Sequence, residues 1–133
     1  LSITAASVAK GTNASVTSTY LAGASITAGQ SVYLDTTTST MKLADADALA
    51  SSAAFGVALN SASTGQPIAV QRSGSITIGA TVATGVAYYV STTAGGICLE
   101  SDLSTGDFPH FLGFATSTTV IALDPKACGV AKA

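Results

Sequence analysis

The sequence predicts an all-β protein, a small β-barrel or β-sandwich of about eight short strands built from two duplicated units and preceded by an extended N-terminal arm. Three observations predict it. Runs of four to seven residues rich in β-branched and aromatic side chains recur between clusters of Gly, Ser, Thr and Asn, which is the punctuation of short strands and turns. Several runs alternate, with Ile76 and Ile78 on one face against Ser75 and Thr77, and with Val32 and Leu34 opposite Tyr33, so each such strand has one dry face. The second half of the chain also repeats the first.

Residues 1–27 alternate Ser, Thr and Ala with isolated Val8, Val16, Tyr20 and Leu21. So few large apolar groups cannot pack a core of their own, so the segment is either mobile or ordered by contact with a neighbouring subunit, and it is read as an arm of the second kind. Strands are expected at 31–34, 55–59, 68–71, 75–78, 86–90, 97–99, 111–115 and 120–123, which makes 28–125 the β-barrel domain and 126–133 a C-terminal tail. The stretch 44–54 is rich in Ala and carries Asp45 and Asp47 where a helix N-terminus would favour them. Leu49 is its only large side chain, so it lacks an apolar stripe and is read as a connection with at most one helical turn.

The repeat begins with Gly29-Gln30-Ser31-Val32-Tyr33-Leu34-Asp35-Thr36-Thr37, which matches Gly85-Val86-Ala87-Tyr88-Tyr89-Val90-Ser91-Thr92-Thr93 at an offset of 56. The register runs on from Met41 and Leu43 to Ile97 and Leu99. Gly56-Val57-Ala58 then falls on Gly113-Phe114-Ala115 at an offset of 57, and Ile68-Ala69-Val70 on Ile121-Ala122-Leu123 at 53. Each unit reads as strand, Thr-rich turn, strand, variable loop, Gly-led strand, hairpin, strand, and two such units can close on each other and remove exposed sheet edges. The second copy of the 44–54 stretch contains Gly106 and Pro109, which break a helix.

Composition narrows the function. The 133 residues fit one domain that buries roughly two-thirds of its unfolded surface. Only 9% are charged, against about 25% in ordinary domains, and 25 Ala, 17 Ser and 19 Thr leave four Phe and four Tyr as the large anchors. Such a surface is smooth, hydroxyl-rich and sparingly charged. Lys10, Lys42, Arg72, Lys126 and Lys132 are scattered and the net charge is −2, so no nucleic acid partner is expected. No apolar stretch approaches the ~20 residues that cross a bilayer, and no membrane partner is expected either.

No residue is assigned a catalytic, cofactor-binding or metal-ligating role, and no enzyme or cofactor is expected. His110, the single histidine, sits in Phe108-Pro109-His110-Phe111 with no nucleophile or orienting acid beside it, and is read as a loop residue packed on Phe108 or Phe111. Asp45 and Asp47 are spaced as paired carboxylates but lack the further oxygen ligands and close glycine of a calcium loop, so they are read as a solvated turn. Glu100, Asp102 and Asp107 are read the same way. Gly95-Gly96 lies between strands rather than before a helix and is read as a hairpin turn, not a phosphate cradle. Cys98 and Cys128, 30 residues apart, match no zinc pattern and are read as free thiols, with a disulfide as the alternative. Asn13-Ala14-Ser15 fits a glycosylation acceptor and is treated as chance.

Ala28-Gly29-Gln30, Phe55-Gly56-Val57-Ala58-Leu59, Gly65-Gln66-Pro67-Ile68-Ala69-Val70, Ser73-Gly74-Ser75-Ile76 and Leu112-Gly113-Phe114-Ala115 follow one another in an order that resembles the capsid decoration, or cement, proteins of tailed bacteriophages. The resemblance spans 28–125. It implies a small β-barrel-like subunit, a homotrimer, that sits on the capsid exterior of the virion, binds the major capsid protein and stabilises the expanded head. A head or tail fibre, or a surface adhesin module that binds host glycans, is the alternative reading.

Overall fold

The computed structural model describes residues 1–127 and 130–132. Eleven strands and one short helix follow the alternating runs: β1 (Val8–Lys10), β2 (Ser15–Thr17), β3 (Leu21–Ala22), β4 (Ser31–Asp35), β5 (Thr40–Leu43), α1 (Leu49–Ser52), β6 (Ala54–Ala58), β7 (Val70–Ile78), β8 (Ala87–Val90), β9 (Ile97–Cys98), β10 (His110–Ala115) and β11 (Val120–Ala127). They pair in the order β3-β5-β4-β6-β7-β11-β10-β8-β9, with β1 and β2 added along β7. The two ends of this path do not pair, so the all-β fold is an open, sandwich-like sheet rather than a closed barrel.

The duplication is written in the registers. Val32 lies opposite Gly56 and Tyr33 opposite Ala54, with Phe55 looped out by a bulge. In the second unit Tyr88 lies opposite Gly113 and Tyr89 opposite Phe111, with Leu112 looped out in the same way. Tyr33 faces Lys42 and Leu34 faces Met41; Tyr89 faces Cys98 and Val90 faces Ile97. Both units open on a glycine of positive φ, Gly29 and Gly85. Their amides donate to Ala58 and Ala115 at 2.8 and 2.7 Å. Gly56 and Gly113 are glycines because a Cβ there would run into the carbonyls of Gln71 and Ala122 respectively, on the neighbouring strand of each unit. The last strand needs one correction. Val57 and Ala58 face Gln71 and Val70, whereas Phe114 and Ala115 face Ala122 and Ile121, so Val70 matches Ile121 at an offset of 51, not 53.

Two expected strands, at 68–71 and 75–78, are the single strand β7. Its Gly74 has a φ of +87°, and a side chain there would collide with the Asn13 backbone. The pairing with β2 slips between Gln71 and Ser73. Gln71 and Ile76 are therefore both buried on one side of the strand although their offset is odd and strict alternation would put them on opposite sides. This switch lets one strand serve both units: Val70 and Gln71 pair with β6, and Gly74 to Thr77 pair with β11.

The N-terminal arm is corrected. Residues 1–27 lie on their own chain: Val8 to Lys10 pair with Ile76 to Ile78, Ser15 to Thr17 pair with Val70 to Ser73, and Leu21 and Ala22 run parallel to Thr40 and Met41. Backbone ladders need no large side chains, and the otherwise open edge of β7 supplies the unpaired donors and acceptors. Ile26 and Ala22 are buried as well. The expected tail also begins later, since β11 runs to Ala127, and Lys132 returns to the 100–107 loop through Nζ contacts to the Leu103 carbonyl at 2.8 Å and the Glu100 carboxylate at 2.9 Å.

Two cores result. Val32, Met41, Ala58 and Val70 of the first unit pack with Ile26 and Ile68 in a small one. Their counterparts Tyr88, Ile97, Ala115 and Ile121 belong to a larger one that also takes in Ala44, Ala46, Ala54 and Val57 from the back of the first unit.

Candidate interaction surface

The residues weighed for chemistry are dispersed, and most are engaged in local structure. Asp45 accepts from the Asp47 amide at 3.0 Å and Asp35 from Thr37 at 3.0 Å. Asp102 accepts from Leu99 at 3.2 Å and Asp107 from Ser104 at 2.7 Å. These are the short carboxylate-to-amide bonds that fix turns. A 2.8 Å bond from the Phe108 amide to the Ala46 carbonyl brings the loops of the two units together. Asp45, with burial and Asp107 adding, holds the Asp47 carboxyl above its ordinary range. Among the described residues no three His, Cys, Asp or Glu side chains are placed to hold a metal ion.

His110 begins β10 rather than standing in a loop, and it is buried. Neither ring nitrogen has a hydrogen-bond partner, and burial pushes its pKa down. Cys98 is buried, its Sγ 3.7 Å from the Val90 carbonyl. Burial, with Asp102 adding, raises the thiol pKa. Cys98 is a free thiol, as read from the sequence; Cys128 lies outside the described residues. Gly95-Gly96 is the turn between β8 and β9, and the Gly95 carbonyl accepts from Ser31 of the first unit at 2.9 Å.

One recess combines an aromatic ring with both charge signs. Phe55, Arg72, Asp124 and Ser73 border a pocket of about 300 Å³ where β7 and β11 diverge. The Arg72 guanidinium lies over the Phe55 ring at 3.9 Å, and Tyr20 meets the same ring edge-on at 5.9 Å. The cation already occupies the face that a sugar would stack on.

The largest difference between the units lies on their backs, the faces opposite their equivalent core sides. On the first unit Ser31, Ala54, Val57 and Gln71 are buried. Val57 and Ala54 enter the large core formed with the second unit, and the Ser31 hydroxyl donates to the Gly96 carbonyl at 3.1 Å. The same positions in the second unit are Ala87, Phe111, Phe114 and Ala122. None of these four is buried, and Phe114 is 48% exposed. Phe111 meets edge-to-face, at 5.9 Å, the ring of Tyr89, which packs against the large core. The charges near this open side, Lys126 and Asp124, pair with each other at 3.2 Å.

Nothing in the composition marks Phe114 as exposed, because its run reads as an ordinary core strand. The alignment of Val57 with Phe114 was the available signal. No family model, curated protein or solved structure matches this chain.

Proposed function

We propose that this chain is a virion structural protein that decorates the outside of a bacteriophage head and stabilises the expanded shell, with the major capsid protein as partner and a homotrimer as its working form. The observation that carries the reading is where the resembling motifs fall. Gly29, Gly56 and Gly113 are the frame of the duplicated sheet, holding the unit-opening turn and the two close strand crossings. The motif order is thus a property of the fold rather than of scattered small residues. The surface suits the role, because Leu21, Leu49 and Phe114 are 46%, 53% and 48% exposed on separate elements while charges are few. A subunit that seals a shell needs contact area on several sides, not a reactive group.

Binding that favours the expanded shell stabilises it by mass action. Heads lacking the protein should therefore assemble, then break on heating, chelation or filling with DNA, and added protein should restore them. The second reading is a fibre or adhesin module that binds host glycans; the recess at Phe55, Arg72 and Asp124 offers it polar groups of both signs but no free ring face. Heads that are fully stable without the protein yet fail to attach to cells would replace the first reading by the second.

A further inference from the structure

Phe55 and Arg72 both stand out of register. Phe55 is the residue looped out between β4 and β6, and Arg72 is the one looped out where β2 slips along β7. Bulges re-aim side chains, and these two, on paired strands, bring a ring and a guanidinium together at 3.9 Å. The arrangement is braced. Tyr20 meets the ring edge-on, and the buried Gln71 amide donates to the Ser73 and Ser75 carbonyls at 3.1 and 2.8 Å, which pins the strand just past Arg72. The second unit shows what these positions hold when they only build a core. Leu112 stands in place of Phe55 and Leu123 in place of Arg72, and both are buried in the large core. Covering a ring needs no charge, so the guanidinium serves another purpose. Among the described residues Lys42, Lys126 and Lys132 each pair with a carboxylate, and none pairs with Arg72. Stacking on Phe55 leaves its in-plane N–H donors free at the edge of the fork.

We propose that the recess bordered by Arg72 binds an acidic sugar, a uronic or sialic acid residue, through its carboxylate. The chemistry of the lining selects that ligand. A planar guanidinium takes a carboxylate through two parallel hydrogen bonds, and Asp124, Ser15 and Ser73 around the same space can accept from or donate to ring hydroxyls. A neutral sugar would find the ring face of Phe55 taken and would leave the cation without a partner. A bare carboxylate on a protein side chain would use the cation alone and bring its charge towards Asp124 with no hydroxyl to offset the repulsion. At about 300 Å³ the recess is at the small end of ligand pockets, the scale of one ring-sized group. The inference rests on neither reading of the protein's role. The exposed Leu21, Leu49 and Phe114 belong to β3, α1 and β10, whereas Phe55, Arg72 and Asp124 belong to β6, β7 and β11.

The test titrates the full chain with glucuronate and with N-acetylneuraminate, followed by heteronuclear NMR. At least one acid should bind saturably and shift the Arg72 Nε–H signal, and glucose should bind about tenfold more weakly or worse. Arg72 is exposed, so Arg72→Gln should keep the wild-type backbone spectrum while weakening the acid by about tenfold or more. Arg72→Lys keeps the charge without the fork and should recover only part of that loss. Asp124→Ala should weaken the acidic sugar but not acetate, which has no hydroxyls to offer. Failure of both acids to saturate, undiminished binding by Arg72→Gln, or binding of glucose, acetate or inorganic phosphate as tight as that of the acidic sugars would each overturn the proposal. Loss of affinity for purified heads in Arg72→Gln, with no sugar bound by wild type, would overturn it too, by giving the recess to a protein carboxylate.

Discussion

At the scale of single residues the fold depends on a few positions where one atom too many or one proton too many is felt. Gly113→Ala places a methyl against the Ala122 carbonyl in the middle of the β10–β11 pair. Because backbone is not free to move aside there, the substitution should cost about 2 kcal/mol or more in a denaturant melt, and Gly56→Ala should cost a similar amount. Substitution at Gly106, where no atom lies near the added carbon, should be milder and limited to the strain of its positive φ. His110 tests electrostatics. Its ring is buried and its nitrogens have no partner in the fold, and that burial holds its folded pKa below the value of roughly 6.5 that it takes when unfolded. The unfolded chain then binds the proton first as pH falls. Stability is full above about pH 6.5 and declines below it, down to the depressed folded pKa. His110→Leu should flatten that decline, so that its melting temperature exceeds wild type at pH 5 by more than at pH 8. An unchanged pH slope would mean that the ring finds a partner when it is protonated.

At the scale of elements, alternation made the long strands legible. Strands of the second unit such as β8 alternate between a buried and a partly exposed face, whereas β4 and β6 bury residues on both, and the equivalent residues of the two units share positions in the pairing registers. The short helix α1, four residues at Leu49–Ser52, is the single turn expected of a segment with one large side chain. What the sequence did not disclose is β1 to β3. Their pairing is carried by backbone groups of β7 and β5, and a backbone ladder leaves no trace in a Ser-Thr-Ala string. The same blindness hid the open face, because Phe114 and Val57 are interchangeable in a pattern and differ only in what lies above them. The energetic consequence can be measured. Deleting residues 1–27 uncovers the edge of β7 and removes Ile26 from the small core, where loss of one such side chain alone costs ~2–5 kcal/mol. The truncated chain should unfold at markedly lower denaturant concentration or fail to fold. Retention of wild-type stability would return the segment to the role of an arm.

At the scale of the molecule, the units are similar in register and unequal in dependence. The first unit closes its small core with its own Ile26 and Ile68. The second closes its large core with Ala54 and Val57 taken from the back of the first. They also share β7, whose opposite ends belong to β6 and β11, and their connecting loops bond to each other at Ala46 and Phe108. Separation of the units would open the larger of the two cores, so neither has an independent route to unfolding. Calorimetry of the whole chain, at concentrations low enough to keep it monomeric, should therefore show one transition. With a specific enthalpy of about 0.7 kcal/mol per residue, 133 residues correspond to roughly 90 kcal/mol at the midpoint. The van't Hoff enthalpy from the shape of the curve should match that total. If each unit melted alone, the curve would broaden and its van't Hoff enthalpy would fall to about half, near 45 kcal/mol. Two resolved transitions, or that halved value, would show that the strand switch at Gly74 is a hinge between domains and not a weld.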